Sequence, residues 1–253
     1  MNIFGDSYAK YYDLLYKDKK YDDEYAYICE IIKKHSIGLP PKNMLDIGCG
    51  TGKHLRYFKE NGFNVSGVDM SYNMISEAKK HMGQEENLIQ SKASEFHFDK
   101  KFDIIISLFH VMSYQTENNE LESVFHNISK HLIKDGLFIF DFWYGPAVLS
   151  DLPQVRIKRL EDNDVEITRL TEPVMRYNEN IVDVNFEVLI ENKTTHLLEK
   201  IHEKHEMRYL FLPEIKYYSE KEGLSFVSAY EWLDFSPLSE KSWYGLAILK
   251  NEK

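Results

Sequence analysis

The chain has 253 residues, 43% hydrophobic and 28% charged, and its 31 Lys and Arg against 41 Asp and Glu leave a formal net charge of −10. That is a globular composition with length enough for a buried core, and its acidic balance argues against a nucleic-acid partner, which needs clustered Lys and Arg. Two cysteines, Cys29 and Cys49, are too few for a disulfide framework, and no run approaches the ~20 apolar residues of a membrane span, so a cytoplasmic protein with no membrane partner is expected.

The N-terminus, "MNIFGDSYAKYYD", carries early charges and no apolar run of signal-peptide length. Tyr8, Tyr12 and Tyr16 recur every four residues, as one stripe of a helix. Lys17 to Lys20, broken by Asp18, reads as a solvated loop. Tyr21 to His35 places Tyr25, Ile28, Ile31 and Ile32 at helical spacing, and Pro40-Pro41 stops that helix. "NMLDI" is a short buried strand, and "GKHLRYFKENG" is a helix ending at Gly62.

"FNVSGVDMS" is a second strand closing on Asp69, and the next helix has a serine cap and a glycine stop. "ENLIQSKASEF" holds a weak third strand. Phe102 to Val111 is a fourth, whose unbroken apolar run suits a parallel strand covered on both faces. An amphipathic helix with a stop at Gly136 leads to a fifth strand, "LFIFDFWYG". The alternation of strand and helix predicts a doubly wound α/β fold with a mostly parallel, seven-stranded sheet.

From about Val155 to Leu212 the period changes to two. Val182, Val184, Phe186, Val188 and Ile190 share one strand face, after a turn at "RYNENIV". The expected organisation is an N-terminal helical cover over 1–38 and an α/β domain over 39–150 and 213–253. An inserted antiparallel β segment over 151–212 would serve the acceptor site or a homodimer surface. "PEIKYYSEKEG" gives a further helix, and "LSFVSAYEWLDF" and "SWYGLAILK" two closing strands.

The first loop, "LDIGCGTGKHL", carries the sharpest signal. Its spacing is D-x-G-x-G-x-G, with Asp46 before Gly48, Gly50 and Gly52. Dinucleotide loops use G-x-G-x-x-G, and an acid beside the loop would repel a pyrophosphate. S-adenosylmethionine, with its ammonium and sulfonium and no phosphate, fits instead. Asp69 is placed to accept hydrogen bonds from both ribose hydroxyls.

With "LDIGCGTG" and "VSGVDMS", the chain from Tyr8 to Gly145 resembles the class I S-adenosylmethionine-dependent methyltransferases. The resemblance implies cofactor contacts along the C-terminal edge of strands one to four, with S-adenosylhomocysteine as product. These fall on Asp46, Gly48, Cys49, Gly50, Gly52 and His54, then Asp69 and Met70. Ala93 and Ser94 belong to the adenine loop, where Ser91-Lys92 replaces the family's frequent Gly-Asp; Leu108 and Phe109 follow strand four. "YYDLLY", "LFHVMSY" and the β insertion look like the amino-sugar N,N-dimethyltransferases and glycine N-methyltransferase-like proteins. In that branch the N-terminal helix covers the cofactor and an aromatic near Tyr16 touches it.

The acceptor residues are read from position. His110 follows strand four, where such sheets open their crevices, and is the candidate general base or acceptor-positioning group. In β-strand alternation, His202, Lys204, Glu206 and Arg208 share one face, and Glu203, His205, Met207 and Tyr209 the other. Arg208 could clamp a phosphate or carboxylate. Trp143 and Tyr144 could stack on a sugar or base ring. The two histidines lie on opposite faces, so no metal pair is expected.

The expected acceptor is a small polar molecule, by resemblance a nucleotide-linked sugar, a phosphorylated precursor or another precursor of a surface (capsular) polysaccharide or glycosylated metabolite. Arg208, Lys20 or Lys204 would offset the acidic balance, and transfer to nitrogen and to oxygen are both open. Competing readings are a tRNA or protein methyltransferase, a non-catalytic cofactor-binding subunit and a nicotinamide dehydrogenase.

Overall fold

The computed structural model describes residues 14–15, 19–36, 38, 40–83 and 87–253. Tyr8, Tyr12 and Tyr16 lie outside them. Helix α1 (Tyr21–His35) buries Tyr27, Ile28, Ile31 and Ile32 as one stripe. Strand β1 (Asn43–Ile47) leads through the glycine loop to α2 (Lys53–Glu60). Strand β2 (Asn64–Asp69), α3 (Tyr72–Met82), β3 (Asn87–Gln90) and β4 (Phe102–Ser107) follow. A 3-10 turn (Val111–Tyr114), α4 (Asn118–His131) and β5 (Leu132–Tyr144) complete the parallel half.

The parallel strands run in the order β3-β2-β1-β4-β5. The sheet then closes with two antiparallel strands, β11 (Tyr244–Asn251) against β5 and β10 (Leu224–Glu231) against β11. Apolar clusters cover both faces. One gathers Ile28, Ile31, Met44, Phe58 and Ile104. The other gathers Leu45, Ile105, Phe125, Phe138 and Phe140. Each fully buried side chain of this size contributes roughly 1.5–3 kcal/mol. The Tyr27 hydroxyl donates to the carbonyls of Glu231 (3.1 Å) and Asp234 (2.7 Å), fastening α1 to the far edge of the sheet.

After β5 come a short helix, α5 (Gly145–Ser150), and β6 (Arg156–Glu161), β7 (Val165–Arg176), β8 (Ile181–Asn192) and β9 (Leu198–Leu210). These four strands pair antiparallel in sequence order. Asn180, at φ 57°, closes the β7–β8 hairpin. The segment joins the main sheet where Trp143 pairs with Tyr209 and Tyr144 with Leu210. Helix α6 (Leu212–Lys221) returns the chain to β10. Leu15 is fully buried among Leu160, Ile167 and Val188, and Lys158 Nζ donates to its carbonyl at 2.9 Å. Leu15 is thus seated on the inserted sheet.

One boundary differs from expectation. Gly136 does not stop α4, which ends at His131, and the left-handed residue is Asp135 at φ 62°. Gly136 is needed for space: a Cβ there would meet the carbonyl oxygens of Ile133 at 2.9 Å and Asp103 at 3.0 Å.

Candidate active site

The glycine loop is a tight turn off β1. The N–H groups of Gly48 and Cys49 both donate to the Val68 carbonyl, at 2.7 and 3.0 Å. Gly48, Gly50 and Gly52 have φ of 77°, 54° and 80°, where side chains are strained. A Cβ on Gly48 would stand 2.3 Å from Val111 Cγ2, whereas among the described residues Gly50 has no neighbour within 4 Å of that position. The loop is therefore closed against the 3-10 turn and open at its tip.

Two acids flank it. Asp69 accepts the N–H of Gly50 at 2.9 Å and of Ser71 at 2.8 Å. Burial raises its carboxyl, and these two bonds oppose the rise. Asp46 is 1% exposed, and neither carboxylate oxygen has a hydrogen-bond partner. Burial, then the charge of Asp69, push its pKa up to about 8, against the opposing pull of Lys19. A buried acid with both oxygens unpaired is costly. It fits a ligand that brings an ammonium group, as S-adenosylmethionine does.

Lys19 is not the solvated residue expected of its basic run; Lys17 and Asp18 lie outside the described residues. Its side chain is 11% exposed, with Nζ 2.8 Å from Glu24 Oε2 and 4.0 Å from the centre of the Phe109 ring. Glu24 is shared with His54, whose Nε2 stands 2.6 Å away. Burial raises the Glu24 carboxyl, but His54 and Lys19 outweigh it and hold it low. The His54 imidazole is thus engaged at the junction of α1 and α2. Cys49 and Leu108 are buried, and Met70 is exposed beside Asp69. The Ala93 carbonyl accepts from Asn127 at 3.4 Å, and Ser94 lines a shallow surface hollow beside α4.

Past β4 the chain turns sharply. Phe109 and His110 have φ of 69° and 64°, rare for residues with side chains and costly by about 1–3 kcal/mol each. The turn brings His110 onto Asp141 of β5. The His110 N–H donates to Asp141 Oδ1 at 2.8 Å, and Nδ1 lies 2.9 Å from Oδ2. Tyr244 stacks on the His110 ring at 4.6 Å and 17°, and Trp143 meets it edge-on at 6.3 Å. Sequence reasoning missed Asp141 and Tyr244. Asp141 had a signal, a lone acid in the apolar run "LFIFDFW".

The inserted sheet turns the other face inward from the one that holds Arg208. Register pairs Phe186 with Glu203, Val184 with His205 and Val182 with Met207. Val182, Val184, Met207 and Tyr209 pack with Val148, Trp143 and Tyr114. Glu203 and His205 therefore face the α/β body. Arg208 belongs to the opposite set and is held by Glu214, Asn118 Oδ1 (2.6 Å) and the Thr116 carbonyl (3.2 Å). Both terminal nitrogens of its guanidinium are committed within the protein, with only the buried Nε unpaired among the described residues, which corrects its assignment as an acceptor clamp. Lys204 is likewise taken up, by Asp183 at 3.0 Å and Glu206 at 2.7 Å, and Lys20 is exposed near Asp23. Tyr144 packs with the core, while Trp143 turns to the site side. Tyr16 lies outside the described residues. Among those residues no cluster of three or more His, Cys, Asp or Glu could hold a metal, and no helix is long and apolar enough to cross a membrane.

Residues 44–136 match the family model described as a methyltransferase domain. A dTDP-3-amino-3,4,6-trideoxy-α-D-glucopyranose N,N-dimethyltransferase of Streptomyces venezuelae is 24% identical over 197 residues, 77% of this chain and 81% of its own length. Three other curated relatives are matched over 53–60% of theirs. Among solved structures, the sugar N-methyltransferase KedS8 of Streptoalloteichus is similar with a TM-score of 0.82 at 18% identity, over 100% of this chain and 97% of that one. The amino pentose methyltransferase CalS10 of Micromonospora echinaspora, solved with S-adenosylmethionine bound, gives 0.77 at 18%, over 99% of each chain. The fold is the Rossmann-like fold of S-adenosylmethionine-dependent methyltransferases.

Proposed function

We propose that this class I S-adenosylmethionine-dependent methyltransferase moves a methyl group to the amino nitrogen of a small polar acceptor, a nucleotide-linked sugar destined for a surface polysaccharide or a glycosylated metabolite. When bound, S-adenosylmethionine supplies an electrophilic methyl carbon on a sulfonium. In this reading the Gly48–Gly52 loop cradles it, Asp46 takes its ammonium group and Asp69 its ribose hydroxyls.

The observation that carries the acceptor side is the His110–Asp141 pair, beside the glycine loop and in contact with Trp143 and Tyr244. With Nδ1 against Asp141, Nε2 is the ring nitrogen left for the acceptor. His110 then aligns the attacking atom roughly 3–3.5 Å from the methyl carbon, and positioning of this kind supplies much of the rate. Trp143 and Tyr244 offer aromatic surface to a sugar ring. The choice of nitrogen rests on the names of the sugar N-methyltransferase relatives.

The test is a panel of nucleotide-linked amino sugars, their hydroxy counterparts, tRNA and protein, assayed with S-adenosylmethionine and read by mass spectrometry. Methylated amino sugars alone are the expected result. Transfer only to tRNA or protein would overturn the reading.

A further inference from the structure

The inner face of the inserted sheet is apolar at both ends and polar in the middle. One end is Leu160, Ile167 and Val188; the other is Val182, Met207 and Tyr209. Between them lies a chain of three groups. Tyr114 Oη stands 2.7 Å from His205 Nδ1, and His205 Nε2 stands 2.9 Å from Glu203 Oε2. The His205 and Glu203 side chains are only 4% and 7% exposed. Phe186 meets the His205 ring edge-on at 5.1 Å, and the Arg169 guanidinium lies over Phe186 at 4.9 Å.

Burying a carboxylate within an apolar sheet costs several kcal/mol unless it does electrostatic work. Glu203 is placed to do one kind. It sits at the far nitrogen of an imidazole whose near nitrogen faces a hydroxyl, the order in which a proton taken at the hydroxyl is stabilised from behind. The near end is the half-buried Tyr114, which ends the 3-10 turn that His110 opens as its N-cap and packs beside Trp143.

We infer that Tyr114, His205 and Glu203 form the route by which the acceptor loses its proton. This rests on the reading that the acceptor sits between His110 and the inserted sheet. The acceptor's N–H proton passes to Tyr114 Oη as the Tyr114 hydroxyl proton passes to His205 Nδ1. The acceptor enters as an ammonium, and this proton is its extra one: the imidazolium keeps its Nε2–H on Glu203, and the neutral amine left behind attacks the methyl carbon with its freed lone pair. His110, held by Asp141, orients the acceptor, and the three-group chain carries the proton. Tyr114 touches the acceptor; His205 and Glu203 are positioning residues. Among the described residues, the charged or titratable groups facing His205 from packed elements include Tyr114, Glu203 and, beyond Phe186, Arg169.

Two measurements on the full-length protein test this. The first is the pH profile of kcat/KM for Y114F, E203Q and E203D with an amino-sugar nucleotide. Y114F should lose on the order of 10²-fold or more in kcat, with cofactor Kd within about threefold of wild type. E203Q should lower the plateau and move the acid limb to lower pH, because the imidazolium loses its counter-charge; E203D should keep the limb. Wild-type limbs and plateaus in Y114F and E203Q would overturn the route. The second needs no acceptor: nitrogen NMR of His205 with S-adenosylhomocysteine bound should show a proton on Nε2 and none on Nδ1. The opposite tautomer would overturn the route even if the acceptor reading stands. A wild type inactive on every amino sugar would sink the acceptor reading, leaving the tautomer to decide the wiring.

Discussion

Asp141 meets His110 twice: Oδ1 accepts the backbone N–H at 2.8 Å, and Oδ2 lies in close ion-pair contact with Nδ1 at 2.9 Å, out of line for a hydrogen bond. One carboxylate so fixes both the strained turn and the ring it presents. Burial raises the Asp141 carboxyl, but the charge and hydrogen bonds of His110 outweigh it and hold the pKa below the ordinary range. A depressed carboxylate stabilises the fold above its unfolded value of about 4, and that contribution fades as pH falls through the depressed value. D141N should therefore be less stable than wild type at neutral pH, with the gap closing in acid. Turnover should fall on the order of 10-fold to 100-fold through misplacement of His110, with cofactor affinity little changed. Thermal melts from pH 7 to pH 3 and steady-state kinetics check both.

Asp46 gives the opposite sign. Its pKa is raised to about 8, so the folded ligand-free protein holds a proton that the unfolded chain releases near pH 4. Stability without cofactor should decline as pH rises between those values, and D46N should flatten the curve. An arriving ammonium group favours the ionised acid. Cofactor binding should therefore release a proton and tighten by up to about tenfold per pH unit below the raised value. Calorimetry in two buffers of different ionisation enthalpy measures that proton. Pure buffer-independence in the wild type would exclude Asp46 as the ammonium partner.

The glycines separate space from strain. Gly50 has a left-handed φ and no neighbour among the described residues, so G50A should cost only about 1–2 kcal/mol of backbone strain. Gly48 adds a collision with Val111 at 2.3 Å, so G48A should cost more and weaken cofactor binding. V111A should restore part of the G48A loss and none of the G50A loss. Melting temperatures of the single and double variants read this directly.

Arg208 should matter to stability and not to acceptor recognition. R208A leaves the half-buried Glu214 without its partner, a change worth roughly 1–3 kcal/mol. Acceptor KM should stay within about twofold in whatever fraction folds. R208M/E214L, which removes both charges, should regain much of the loss in denaturant titrations.

The parallel half was legible because its signals are local. The glycine spacing, the Ser71 cap and the unbroken Ile run of β4 each act within a few residues. The faces of β9 were legible as alternation, but not which face turns inward. That depends on register with Val182 and Val184 and on packing against Trp143, none of which lies in β9. Arg208 was misassigned for that reason. Lys19 was misread because Glu24 and Phe109, which bury it, come from a helix and a distant turn. Asp141 and Tyr244 are drawn to His110 by strand pairing across β5 and β11, which spacing along the chain does not encode.

The inserted sheet meets the parallel sheet at two rungs, Trp143 with Tyr209 and Tyr144 with Leu210. Side chains widen that seam: Val182, Met207 and Tyr209 pack on Val148, Trp143 and Tyr114, and Arg208 reaches Thr116 and Asn118. Descendants of such a chain could exchange the residues of β6 to β8 and acquire a new clientele while the grip on the methyl donor stays as it was. On the proposed reading, a transplant made between Gly145 and Leu212 carries the acceptor side with it and leaves the glycine loop, Asp46 and Asp69 in place.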